Sequence, residues 1–261
     1  MLSQHFDVVL AELLIKNLFH CNTVGHPLLY LNHRFQNRQT YVDWCGQMMG
    51  PIKEERGLEQ GGVNSSDLYK IFSKEQLATA QQTELGVSLG NLVISGIGQA
   101  DDTALISNDL HSLQYLLILS QIFCKKYSVK LCANKTKLQV FSTKQTNETA
   151  LYNMMTNPLT MAGEKVEFVE TAEHVGIVRA TAGNLPAIAA RISAHKKALG
   201  AVLHAGVARG HRGNPAASLQ VVKMYGAPVL LSGLATLVPT KAEETIIEQH
   251  FKEVISNTHG L

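Results

Sequence analysis

Val93-Ile94-Ser95-Gly96-Ile97-Gly98-Gln99-Ala100-Asp101-Asp102-Thr103-Ala104-Leu105-Ile106-Ser107 is the stretch around which the chain is organised. Two adjacent carboxylates stand between two runs rich in β-branched and apolar residues, which predicts strand, tight acidic turn, strand. Neighbouring carboxylates at a hairpin tip repel each other unless a cation holds them. Hard oxygen ligands of this kind select Mg²⁺ or Mn²⁺. A bare Asp-Asp is in most chains only a solvated turn. What stands before and after this one decides between the two readings.

Upstream, Leu10, Leu13, Leu14 and Leu18 repeat at helical spacing and predict an amphipathic helix ending near Gly25-His26-Pro27. Short elements are expected at Leu28–Asn32 and Arg38–Trp44, with strand character from Thr40. Gly57-Leu58-Glu59-Gln60-Gly61-Gly62-Val63-Asn64-Ser65-Ser66 then places three glycines around a Gln, ahead of a helix carrying Leu68, Ile71 and Phe72. Such a loop lets backbone approach a ligand closely. It is not a phosphate-cradling Walker loop, because the G-x-x-x-x-G-K-[ST] spacing fails.

Downstream, Ser107-Asn108-Asp109 caps a helix whose stripe is Leu110, Leu113, Leu117 and Cys124, flanked by Leu116 and Phe123. Asn134-Lys135-Thr136-Lys137 precedes a strand at Leu138–Phe141, and a strand pair is expected at Lys165–Phe168 and His174–Val178. From Asn184 the pattern turns helical, with Ile188, Ile192, Leu199 and Leu203 on one face and a stop at Gly206 or Gly210. Asn214-Pro215 opens a second helix closed near Gly226. Thr240-Lys241-Ala242-Glu243 is a capping box for a last helix through Val254. The boundary falls near Thr181-Ala182-Gly183, between a mixed α/β part and a helical part.

The composition sets outer limits. An apolar fraction of 45% over 261 residues supplies a core and excludes wholesale disorder. Net charge is only +2, yet no acid occurs between Glu173 and Glu243, where Arg179, Arg191, Lys196, Lys197, Arg209, Arg212, Lys223 and Lys241 fall. This one-sided block suits either an anionic partner or a solvated helical surface. Cys21, Cys45, Cys124 and Cys132 lack zinc-site spacing and read as free thiols of a reducing compartment. No signal peptide opens the sequence, and Val229–Val238 is too short to span a bilayer, so an intracellular protein with no membrane partner is expected.

Three features thus stand in fixed order: Gln60-Gly61 before a helix, Ala100-Asp101-Asp102 at a hairpin tip, and Asn134-Lys135-Thr136 before a strand. Glu173-His174-Val175-Gly176 follows in a later hairpin. In this order the chain resembles the reverse transcriptase of non-LTR (LINE-type) retrotransposons, most strongly from Gly57 to Phe141. The resemblance implies an α+β fold: a partial polymerase palm with a remnant of the fingers over residues 1–181, an antiparallel sheet with packed helices, then a helical thumb over residues 182–261.

It also implies roles. Asp101 and Asp102 match the family's metal-holding acids, with Gln99 in place of the usual aromatic residue. Gln60 and Gly61 match the loop that lines template and incoming nucleotide, although Glu59 replaces a common Pro and Gly62 a common Ser. Lys135 matches a lysine thought to protonate the pyrophosphate leaving group. Val175 and Gly176 resemble the primer-gripping hairpin, with His174 for the usual Tyr. Arg191, Lys196, Lys197, Arg209 and Arg212 would track the nucleic-acid backbone. The implied partners are an RNA template, a DNA primer and a dNTP, and the implied cofactor is Mg²⁺ or Mn²⁺.

One acid is out of place. Two-metal nucleotidyl transfer needs a further carboxylate bridging the cations. In the family it belongs to a motif resembling Asp-x-x-x-Ala-Phe-Asp. Phe6-Asp7 matches the end of that motif, which makes Phe6 the residue crowding the sugar 2′ position and puts Met1 where the metal-ligand Asp belongs. Asp7 belongs to the following turn, several extended residues of about 3.3 Å each away from that position. The first palm strand is then mostly missing, and the chain by itself is expected not to polymerise. Two readings differ from an enzyme: a non-catalytic nucleic-acid-binding or scaffolding remnant, and an α+β domain whose Asp101-Asp102 holds Ca²⁺, the latter without EF-hand spacing.

Overall fold

The structure is a computed structural model, and it describes residues 6–36, 38–59, 61–99, 102–129, 131, 133–141, 156–204 and 215–259. It is of mixed helix and strand, with small antiparallel ladders, in agreement with an α+β class. Among the described residues the strands pair only two by two. Two compact units divide the chain: residues 1–137 with 149–167, and residues 138–148 with 168–261.

The first unit begins with a 3₁₀ turn at Phe6–Val8 and helix α1 (Ala11–His20), which buries Leu14 and Leu18. Asn22 in the left-handed region ends α1, and helix α2 (His26–Gln36) starts where the first helix was expected to stop. Pro27 therefore opens a helix: in a first turn its missing N–H leaves no bond unmade. Strand β1 (Gln39–Trp44) turns through Cys45-Gly46, both at positive φ, into strand β2 (Gln47–Lys53). The register pairs Val42 with Met49 and Trp44 with Gln47. All residues of this ribbon are exposed, including Trp44, Met48, Met49 and Ile52.

Helix α3 (Ser65–Gln82) and helix α4 (Leu110–Tyr127) carry the core of this unit. Phe72 is fully buried, with ring centroids 5.9 Å from Tyr69 and Tyr127 and 6.0 Å from Phe123. The expected stripe on α4 is rotated: Leu116, Leu117, Ser120, Phe123, Cys124 and Tyr127 are buried, while Leu110 and Leu113 are only half-buried. The aromatic residues set the face, because Phe123 and Tyr127 pack edge-on with centroids 4.8 Å apart and meet Phe72. Burial pushes the Cys124 thiol up to about 12. The Asp109 cap is as expected, its carboxylate accepting from the Ser112 N–H at 2.8 Å.

Between α3 and α4 run strands β3 (Val87–Leu89), β4 (Leu92–Ile94), β5 (Gly96–Gln99) and β6 (Asp102–Leu105). Beyond α4, strand β7 (Lys137–Leu138) is shorter than the expected Leu138–Phe141. Strands β8 (Thr160–Met161) and β9 (Glu164–Lys165) form a hairpin, and strand β10 (Glu167–Phe168) pairs with β7. The pairing of Lys165–Phe168 with His174–Val178 does not form. Strand β11 (Thr171–His174) pairs instead with strand β12 (Ile177–Ala180), because the chain reverses at Val175-Gly176.

The second unit contains this β11–β12 hairpin and the helices that follow, so the hairpin falls with the helical region. Helix α5 (Leu185–His204) is followed by helix α6 (Pro215–Val221), a π-helical turn at Val222–Gly226 and helix α7 (Ala227–Leu231). Gly226 does not close a helix as expected; the helical path continues through it. A Cβ there would lie 2.7 Å from the His195 ring and 2.9 Å from Leu199, so its bare backbone permits α5 to approach. Helix α8 (Lys241–His259) starts at the expected capping box: the Thr240 N–H donates to Glu243 at 2.8 Å, and the Glu243 N–H to the Thr240 hydroxyl at 3.4 Å.

Candidate functional site

The acidic hairpin forms where the sequence predicts it. β5 and β6 pair Gly96 with Leu105, Ile97 with Ala104, Gly98 with Thr103 and Gln99 with Asp102. Ala100 and Asp101, which stand between these strands in the sequence, lie outside the described residues. Asp102 is half-buried at the start of β6.

Four hydrogen bonds hold the base of the hairpin. Ser95 is fully buried; its N–H donates to the Gln81 Oε1 at 3.3 Å, and its carbonyl accepts from the Ile106 N–H at 2.9 Å. The Gln81 Nε2 donates to the Val93 carbonyl. The Ser107 hydroxyl donates to the Leu85 carbonyl at 2.8 Å. The glycines of β5 explain why α3 can lie against it: Cβ atoms at Gly96 and Gly98 would stand 3.3 and 2.7 Å from Leu77. Gly-x-Gly inside a strand is a signal of close approach, and here it marks the helix that supports the acidic tip.

The glycine loop is braced on both sides of Gln60, which lies outside the described residues. Arg34 pairs with Glu59 at 2.6 Å and, by that hydrogen bond first, holds its carboxyl below the usual range. The Ser65 hydroxyl donates to the Glu59 carbonyl at 2.6 Å, and a Cβ at Gly62 would sit 2.6 Å from that hydroxyl. Gly61 has φ +81°, a conformation other residues rarely adopt. Glu59 and Gly62 both take part in fixing the shape of this loop.

The other expected residues lie on separate elements. Lys135 ends a 3₁₀ turn (Ala133–Lys135) and is exposed. Phe6 and Asp7 belong to the 3₁₀ turn at the start, Asp7 exposed. No hydrogen bond or ion pair joins Gly61, Asp102 and Lys135 among the described residues. Val175 and Gly176 are brought together as the turn of β11–β12, at φ +53° and +71°. A β-branched residue in that region is strained. Arg191, Lys196 and Lys197 lie on α5, the lysines exposed; Arg209, Arg212 and Met1 lie outside the described residues.

Among the described residues no three His, Cys, Asp or Glu side chains gather to hold a metal ion. Of the two expected metal-holding acids only Asp102 is described. Sequence reasoning missed a different polar cluster. His195 on α5 and His250 on α8 are buried, Nδ1 to Nε2 at 2.8 Å, and the outer nitrogen of each ring has no partner in the structure. Burial holds both imidazoles below their ordinary range. The signal was present: His195 falls between Ile188 and Leu199 on the buried stripe of α5.

No helix among the described residues is long and apolar enough to cross a membrane. No protein-family model matches the chain, and a search of curated proteins finds no match.

Proposed function

We propose that this chain is the palm and thumb portion of a non-LTR-type reverse transcriptase, and that a polypeptide of these residues engages primer–template without extending it. The observation that carries the reading is the β5–β6 pairing, whose two strands the sequence joins through Ala100-Asp101, with Asp102 as the first β6 residue. It stands after the glycine loop before α3 and ahead of the Asn134-Lys135-Thr136 segment before β7. Further support comes from the acid-free run between Glu173 and Glu243, whose Arg and Lys side chains suit contact with a polyanion. The parent family's reaction transfers a deoxynucleotide to a primer 3′-hydroxyl with Mg²⁺ or Mn²⁺ at Asp101 and Asp102. That chemistry needs another carboxylate beside the pair, and Met1 stands at the matching position. The same features favour a non-catalytic binding role for the isolated polypeptide.

Purified chain is mixed with a labelled RNA template annealed to a DNA primer. Affinity should fall steeply as salt is raised, and no dNTP should be incorporated with either cation. Binding indifferent to salt would reject the nucleic-acid role. Incorporation that disappears in Asp101→Ala would reject the non-extending one.

A further inference from the structure

Helix α5 carries an apolar stripe that the polymerase reading does not use, beside two lysines that it does. Leu185, Ile188, Ala189, Ile192, Ser193, Lys196 and Lys197 recur every three or four residues and line one side of a groove of about 640 Å³. Ile246 of α8 lines the other side. Leu185 is 54% exposed and Ile246 39% exposed, so the groove has open apolar walls as well as an apolar floor at buried Ile188. Its charged lining residues, Lys196 and Lys197, sit together at one end and are both cationic.

This division of chemistry selects the occupant. A nucleic-acid backbone presents charge at regular intervals and would place phosphates over Leu185, Ile188 and Ile192, where nothing offsets their desolvation. An amphipathic helix presents an apolar stripe of the same period as the one facing it. From Leu185 to Lys197 the stripe rises about 18 Å at 1.5 Å per residue, the length of a helix of about a dozen residues. We infer that this groove docks an amphipathic partner helix whose leucine-type side chains lie on Leu185, Ile192 and Ile246 and whose acidic end meets Lys196 and Lys197. The inference requires neither Asp101 nor Asp102, but it competes with the polymerase reading for Lys196 and Lys197, which it gives to the partner helix instead of a nucleic-acid backbone.

The test uses the full chain and a fluorescein-labelled fifteen-residue helical peptide with Leu at helical i, i+3, i+4 and i+7 positions and Glu in one end turn. A copy with Lys for Glu and an RNA–DNA duplex serve as competing probes. The acidic peptide should bind, with anisotropy titrations showing at least tenfold weakening in Leu185→Glu and again in Lys196→Glu/Lys197→Glu; the Lys copy should not bind. Leu185 is exposed, so its replacement leaves the fold intact by circular dichroism, and the lysine variant needs no core change. Failure of the acidic peptide to bind, or binding that ignores either variant, overturns the inference. So does a duplex that weakens in the lysine variant while the peptide does not bind, which would return the groove to nucleic acid.

Discussion

The α3–α4 core of the first unit and the α5–α8 seam of the second are built on opposite terms. In the first, Phe72, Tyr69, Phe123 and Tyr127 pack edge to face, and the hydroxyl of Tyr127 reaches out to Glu75, which Lys126 also holds at 2.8 Å. In the second, the corresponding position between helices holds two imidazoles that satisfy each other once and leave two nitrogens unpaired. One neutral tautomer of the pair leaves a bare acceptor on His195 and an N–H on His250; the other reverses them. The aromatic core is tied to titration only at its rim, through Glu75, whereas the imidazole seam loses stability when it takes up a proton.

Phe72→Ala should produce the largest loss, about 3–5 kcal/mol in chemical denaturation followed by circular dichroism, because the site is enclosed by aromatic groups that cannot collapse into the cavity. A loss no greater than that of an exposed substitution would show the core to be looser than its geometry. Gly226→Ala should cost about 1–3 kcal/mol, since the new methyl meets the His195 ring and Leu199 and the π-helical turn must yield.

Acid should then separate the two regions. Both imidazoles titrate below their ordinary value of 6.5, chiefly through burial, with Lys196 lowering His250 further and Glu253 opposing. The unfolded chain therefore binds more protons than the folded one between about 6.5 and the depressed folded values. The contribution of the pair is complete above that window, declines as pH falls through it and levels below. Thermal melts from pH 8 to pH 5 should show the decline, and His195→Leu/His250→Leu should reduce it. An equal decline in the double variant would place the acid sensitivity elsewhere. The smallest effect is a gain: Val175→Asn should stabilise by about 1 kcal/mol, because Asn tolerates the left-handed region that Val resists. If that turn also grips a primer, the same variant should weaken primer–template binding while raising the melting temperature.

What could be read from the residues followed the range of the signal. Asp109 and the Thr240–Glu243 box cap helices through contacts three residues apart, and the acidic hairpin is bounded by its own β-branched runs; all are local and all were legible. β2 was not, because Gly50 and Pro51 break its strand character and exposure on both faces removes any alternation. The expected strand His174–Val178 runs through the turn of the β11–β12 hairpin, because Val175 is a residue that ordinarily avoids positive φ. The rotated face of α4 depends on Phe72, fifty-odd residues away, and no period within α4 could reveal it. Of the candidate site, the carriers of Asp102, Gly61 and Val175-Gly176 were legible as elements. The bracing by Arg34, Gln81 and Leu77 was not, since each reaches across the chain.

Trp44 is the one tryptophan of the sequence and is 71% exposed on the β1–β2 ribbon. Its indole is already in water before anything unfolds, so its emission colour carries almost no record of either core. The same exposure makes it responsive to any molecule that covers the ribbon, which would move the emission to shorter wavelength. For this chain, intrinsic tryptophan fluorescence is a sensor of docking, and tyrosine or backbone signals must be used to follow folding.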